Sequence, residues 1–179
     1  MANLLIVDDE PNVLSALRRM CMNQAAEPAI PEPHVMTFTS VHDAIDHVRQ
    51  QPVDLVISDY RMPEMDGATF LMMVKKLNPD AARIMLSAFT DLEGIVRAIN
   101  DAGIVRFVAK PWSDTDLRTT IIQALEHRHL ALENRLLADK VRLQHGVISR
   151  QQLELERLEA ETPGITRVHW SEDGGVLLE

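Results

Sequence analysis

Leu4-Leu5-Ile6-Val7-Asp8-Asp9-Glu10-Pro11-Asn12 decides how the rest of the chain is read. Four apolar residues in a row, without alternation, describe a strand buried on both faces, as in a parallel sheet covered by helices on either side. The acidic pair marks the strand's C-terminal end. Pro11 suits the first turn of a helix, where its missing N–H costs nothing. That helix carries Val13, Leu14, Leu17 and Met20 on one side.

The same alternation continues outward. Residues 27–33 are Pro-rich and predict a loop; 34–38 predict a second strand, with Ser40 as N-cap of a second helix. Then come a strand at 53–57, a helix from about 66 to 77, a strand at 82–86, a helix at about 91–100 and a strand at 104–108. A last helix starts near Ser113, with Asp114 and Asp116 suited to its positive N-terminal end. Five strands alternating with five helices predict an α/β fold, a doubly wound five-stranded parallel sheet with right-handed connections.

Composition narrows the class. The 179 residues allow one domain plus an appendage. A net charge of -9 argues against a protein that grips a phosphate backbone, which needs Lys and Arg. Cys21, the sole cysteine, excludes an internal disulfide framework and a Cys-cluster zinc site. No apolar run approaches the roughly 18 residues of a membrane span, and residues 1–12 lack a secretory signal's basic region. A cytoplasmic location without membrane insertion is therefore expected.

In a parallel sheet the strands' C-terminal ends share one edge, where ligands bind. Asp8 and Asp9 follow the first strand, Asp59 the third, Ser87 the fourth, and Lys110 and Pro111 the fifth. Each has a plain explanation alone: a helix cap, a turn residue, a solvated charge. Their joint arrival on one rim does not. Three carboxylates packed together need a compensating charge, and Mg²⁺ accepts a few carboxylates plus waters and phosphate oxygens. An aspartate beside such a metal is a competent nucleophile toward phosphorus. Lys110 can neutralise a phosphoryl oxygen and Ser87 can donate a hydrogen bond to another. The expected chemistry is phosphoryl transfer onto Asp59.

IVDDEPN, ISDYRMPEMDG, MLSAF and VAKPW, in that order, resemble the receiver domain of two-component response regulators over residues 1–128. The resemblance implies a flavodoxin-like sheet of order 2-1-3-4-5. It implies Asp59 as phosphoacceptor, charged by a sensor histidine kinase or phosphotransfer protein. Asp9 would ligate Mg²⁺ directly, Asp8 largely through water, and Asp59 and the backbone carbonyl of Arg61 would complete the protein ligands. Ser87 and Phe107 match a switch pair, and the Lys110–Pro111 bond is cis in such domains. Arg61 and Phe89, each two residues past a matched position, are candidates for tuning phosphoryl lifetime, with Phe89 screening the acyl phosphate; Phe89 as an ordinary loop residue stands as the alternative.

Beyond the receiver the helical pattern does not stop. No proline occurs between Pro111 and Pro163, and good helix formers dominate. A seam spaced alternately four and three runs through Leu130, Asn134, Leu137, Val141, Gln144, Ile148, Gln151, Leu155 and Leu158. Its polar positions lower stability but fix register, and Gly146 weakens the middle by about 1 kcal/mol. Residues 129–161 are thus expected to be a coiled-coil extension continuous with the last receiver helix, forming a homodimer; folded-back or heteromeric packing is the alternative. Residues 162–179 read as a short β-hairpin, in which His169 and Trp170 either offer a contact surface or cover the hairpin's own face.

No Gly-rich phosphate loop or HExxH array is present. The receiver portion also resembles those joined to cyclic-dinucleotide hydrolases, for which the tail has no room. From Leu130 onward there are 6 basic and 9 acidic residues, which disfavours a nucleic-acid output. Output by contact with an unnamed downstream protein is expected. A phosphate sink or shuttle is the alternative, as is a Mg²⁺-dependent aspartyl phosphatase. Such a phosphatase wants a second Asp where Arg61 stands.

Overall fold

A computed structural model describes residues 2–23, 25, 27, 29–30, 32–88, 104 and 106–161. In chain order the elements are β1 (Ala2–Val7), α1 (Pro11–Met22), β2 (Pro33–Phe38), α2 (Val41–Gln50) and β3 (Leu55–Asp59). These are followed by α3 (Gly67–Leu77), β4 (Ala82–Ala88), β5 (Arg106–Lys110) and α4 (Asp114–Glu161). The strands form one sheet of order β2-β1-β3-β4-β5, and every neighbouring pair is parallel. The expected helix at 91–100 and hairpin at 162–179 lie outside the described residues. The chain separates into two units, Met1–Leu132 and Glu133–Glu179.

The central strands are largely apolar because both faces are covered. Leu4, Ile6, Leu55, Ile57, Ile84 and Leu86 face one layer, where Leu14 and Leu17 of α1 meet Leu117 and Ile121 of α4. Leu5, Val7, Val56 and Met85 face the other, against Ile45 of α2 and Phe70, Leu71 and Val74 of α3. Alternate residues of a strand point to opposite faces, so an uninterrupted apolar run serves both layers. Each such side chain contributes about 1.5–3 kcal/mol by leaving water.

Capping follows local chemistry. Ser40 Oγ accepts from the Asp43 N–H at 3.3 Å and Asp66 Oδ1 from the Thr69 N–H at 2.7 Å. Pro11 opens α1 after Glu10, which makes no side-chain cap.

Every strand boundary differs from the sequence expectation at one end or both: β1 begins at Ala2 instead of Leu4, and β3 runs 55–59 instead of 53–57, so that Asp59 closes the strand. β2 begins at Pro33, not 34, because the first position of a strand tolerates proline. β5 runs 106–110 instead of 104–108, and β4 extends to Ala88. The cause is shared: the β4–β5 ladder continues through Ser87↔Ala109 and Ala88↔Lys110, so pairing carries both strands to the rim.

Candidate active site at the C-terminal rim

Register brings the site together. Val7 pairs with Ser58, Asp59 with Leu86, and Ala88 with Lys110, so Asp8, Asp59 and Lys110 meet at one edge of the sheet. Lys110 starts on β5, two strands away from Asp59 on β3. Its ammonium lies 2.8 Å from Asp8 Oδ2 and 2.6 Å from Asp59 Oδ1. The remaining carboxylate oxygens accept backbone N–H groups: Asp59 Oδ2 from Arg61 at 2.9 Å and Asp8 Oδ1 from Glu10 at 2.9 Å.

Both carboxylates are buried, Asp8 at 1% and Asp59 at 7% exposure. Burial pushes the Asp59 carboxyl above its ordinary range. The Lys110 ammonium and the Arg61 N–H pull it back, and the Asp8 charge pushes the same way as burial. Burial by itself lowers the Lys110 ammonium, but the hydrogen bonds to Asp59 and Asp8 outweigh it, and the group is held above its usual value. Two carboxylates sharing one ammonium leave one negative charge uncompensated among hard oxygen donors. That donor set fits Mg²⁺, which takes few protein carboxylates and completes its shell with water and phosphate oxygens.

The other expected site residues are placed as follows. Asp9 is exposed, just past buried Asp8. Among the described residues no three acidic, histidine or cysteine side chains group as a metal cage. Ser87 lies inside β4, 1% exposed, and donates a long hydrogen bond of 3.4 Å to the Ala88 carbonyl. Phe107 pairs with Met85 in the ladder. Ser87 and Phe107 therefore sit one step apart on the same face of adjacent strands. Arg61 is exposed, and its backbone N–H holds Asp59. Phe89 lies outside the described residues. The Lys110–Pro111 peptide is cis.

On the tail, Leu130, Leu137, Val141 and Leu155 are exposed large apolar residues, as are Leu136 and Leu143. Asn134 and Gln144 are exposed and Leu158 is half-buried. Ile148 and Gln151 lie in α4, but their side chains are outside the described set.

Two supporting residues escaped the sequence reading. Gly67 donates its N–H to the Tyr60 carbonyl at 2.8 Å, and a Cβ there would collide with the Asp59 carbonyl. The glycine after the Asp66 cap was the available signal. At the opposite edge, Arg128 Nη2 lies 2.9 Å from Asp54 Oδ1 and its Nε donates to the Asp80 carbonyl at 2.9 Å. Asp54 Oδ2 in turn accepts the Asn3 N–H at 2.7 Å. An arginine in a charged helix carries no signal for such a node.

A doubly wound parallel sheet with lysine-bridged aspartates at its C-terminal rim defines a receiver-type α/β protein. The chain belongs to the response regulator receiver domain family, whose profile matches residues 4–122. It is 36% identical over 129 residues to the hydrogenase transcriptional regulatory protein HoxA of Cupriavidus necator, covering 72% of this chain and 25% of that protein. It is 33% identical over 147 residues to the cyclic di-GMP phosphodiesterase response regulator RpfG of Xanthomonas campestris pv. campestris, covering 76% of this chain and 37% of that protein. The signal receiver domain of an HD domain-containing protein from Pseudomonas fluorescens Pf-5 superposes with a TM-score of 0.65 at 32% identity, covering 74% of this chain and 92% of that one. The chain thus spans 25% and 37% of the length of these two curated relatives. Among the described residues no helix is long and apolar enough to cross a membrane.

Proposed function

We propose that residues 1–128 accept a phosphoryl group on Asp59 from a histidine kinase or phosphotransfer protein, and that the helical tail, 129–161, passes on the result. The observation that carries this reading is the Lys110 ammonium shared by Asp8 and Asp59 at the sheet's ligand-binding edge. An Asp59 oxygen forms the new P–O bond while the bond from phosphorus to its donor breaks, the electron pair leaving with the donor. The Arg61 N–H orients the carboxylate. Lys110 stays charged and neutralises a phosphoryl oxygen, and Ser87, on the neighbouring strand, supplies a hydroxyl to another.

Mg²⁺ would be held by Asp8, Asp9, Asp59 and the Arg61 carbonyl, and when bound it supplies charge compensation for the phosphoryl oxygens. Receiver domains use Mg²⁺ for phosphorylation, and the donor set here fits it. Arg61 and Phe89 remain our candidates for setting phosphoryl lifetime, and Ser87 with Phe107 for the switch.

Output is proposed through protein contact and homodimerisation of the tail, in the cytoplasm. Relatives such as HoxA are named as transcriptional regulators. The 6 basic and 9 acidic residues from Leu130 onward support an output without nucleic acid for this chain itself.

Incubating the protein with acetyl phosphate and Mg²⁺ should add one acid-stable phosphoryl group by intact mass, absent in Asp59→Asn and after Mg²⁺ removal. An unmodified wild-type protein would overturn the assignment. Lys110→Ala should keep the fold and lose most of the labelling.

A further inference from the structure

Ser58 puts a hydroxyl into an apolar layer. It is fully buried and stands between Val7 of β1 and Met85 of β4, on the sheet face that packs against α2 and α3. A buried hydroxyl costs free energy unless it is hydrogen-bonded, and an apolar side chain would gain from the same burial. Its partner is the backbone carbonyl of Asp59, to which Ser58 Oγ donates at 2.8 Å. We propose that Ser58 is a positioning residue for phosphoryl transfer: its hydroxyl fixes the Asp59 peptide unit and, through it, the direction of the carboxylate. This deepens the phosphoacceptor reading above and rests on it.

The end of the ladder explains why a donor is placed there. On the β1 side the register closes with Val7↔Ser58, whereas on the β4 side it continues to Asp59↔Leu86. Asp59 thus lies past the β1 ladder. A buried carbonyl at such a strand end needs a donor from elsewhere. The hydroxyl one residue earlier supplies it.

The approach of α3 points the same way. A Cβ on Gly67 would overlap the Asp59 carbonyl oxygen and come within 3.0 Å of Ser58 Oγ. Gly67 gives its own N–H to the Tyr60 carbonyl at 2.8 Å, so it packs against the Asp59 carbonyl without bonding it. The helix start confines that carbonyl, and the serine holds it.

The carboxylate is held separately. Lys110 Nζ reaches Asp59 Oδ1 and the Arg61 N–H reaches Oδ2. Those contacts aim the side chain from a backbone that must itself be placed. Successive strand residues face opposite sides, so Ser58 lies on the α3 side while Asp59 follows Ile57 toward the other layer. The serine therefore acts through the backbone and does not touch the phosphoryl group.

The experiment compares full-length wild type with Ser58→Ala and Ser58→Cys, the latter close to serine in size but a weak donor. One readout is the Arg61 backbone amide resonance in isotope-labelled protein without Mg²⁺ or phosphodonor. That N–H is bonded to Asp59 Oδ2, so it follows the carboxylate rather than overall stability. The other is the rate of labelling by acetyl phosphate with Mg²⁺. Both variants should keep the wild-type circular dichroism, shift the Arg61 resonance and label about ten-fold more slowly, since small misplacements of a reacting group are costly. A Ser58→Cys protein that matches wild type in both readouts overturns the proposal, because size alone then suffices. So does a Ser58→Ala protein with an unmoved resonance and an unchanged rate. Should Ser58→Ala not fold, the near-isosteric Ser58→Cys decides by the same two readouts. A wild-type protein that takes no phosphoryl group overturns the phosphoacceptor reading instead, and the Arg61 resonance still tells whether Ser58 places the carboxylate.

Discussion

Asp59, the proposed phosphoacceptor, is the residue at which the proposed function works against stability. Its carboxyl is raised by burial and by the Asp8 charge more than Lys110 and the Arg61 N–H restore. A folded-state pKa above the unfolded value means that the folded form binds more protons. The stabilising contribution is therefore present below about pH 3.9, the unfolded value, and is lost as pH rises through the folded one. At neutral pH the ionised group opposes folding. Asp59→Asn should accordingly raise Tm at pH 7, with the gain shrinking as pH falls toward 4. Thermal scans at several pH values read this out, and a Tm lowered at pH 7 would contradict it. Cys21 tests burial differently. With its thiol pushed up to about 12 by desolvation, it should resist alkylation at pH 8 until the protein is unfolded.

At the scale of elements, the turn between β3 and α3 is shaped around the strand that ends in Asp59, the proposed phosphoacceptor. Asp66 caps α3, and Gly67 starts it against the Asp59 carbonyl, so no side chain fits there. Gly67→Ala must displace backbone, not a flexible side chain, and should cost about 3 kcal/mol or more, with phosphorylation lost through a shifted Asp59. Denaturant melts of Gly67→Ala beside Ala68→Gly, also in α3, would separate the clash from ordinary helix propensity, which is worth about 1 kcal/mol.

At the scale of the molecule, Arg128 ties α4 to the edge of the sheet opposite the aspartates. It joins Asp54, which precedes β3, to the carbonyl of Asp80, which precedes β4. The side chains of this pair are about one-fifth exposed, so the interaction is only partly screened. Arg128→Ala should cost about 1–2 kcal/mol in a urea melt. The loss should be smaller in an Asp54→Asn background, as for any shared interaction. Comparing protease sensitivity of the tail with and without Mg²⁺ and beryllofluoride, in wild type and Asp59→Asn, tests whether the tail reports on the site. A change confined to wild type is expected; no change would favour a phosphate sink.

The order and type of the described elements, and Asp8, Asp59, Ser87 and Lys110 as site candidates, were legible in the amino-acid order alone. Hydrophobic period and strand-end chemistry are local properties, written in consecutive residues such as Leu4 to Asp9. The common rim followed from topology, because parallel strands with right-handed crossovers have few ways to be arranged. What needed the folded chain was everything set by strand register and long-range approach. Examples are the extension of β4 and β5 to the rim, the single ammonium bridging residues 102 positions apart, and the separation of buried Asp8 from exposed Asp9. The closeness of Gly67 to Asp59 and the Arg128 node belong with them. These contacts depend on which side chains neighbouring strands and helices present to one another, and no stretch of sequence carries that information by itself.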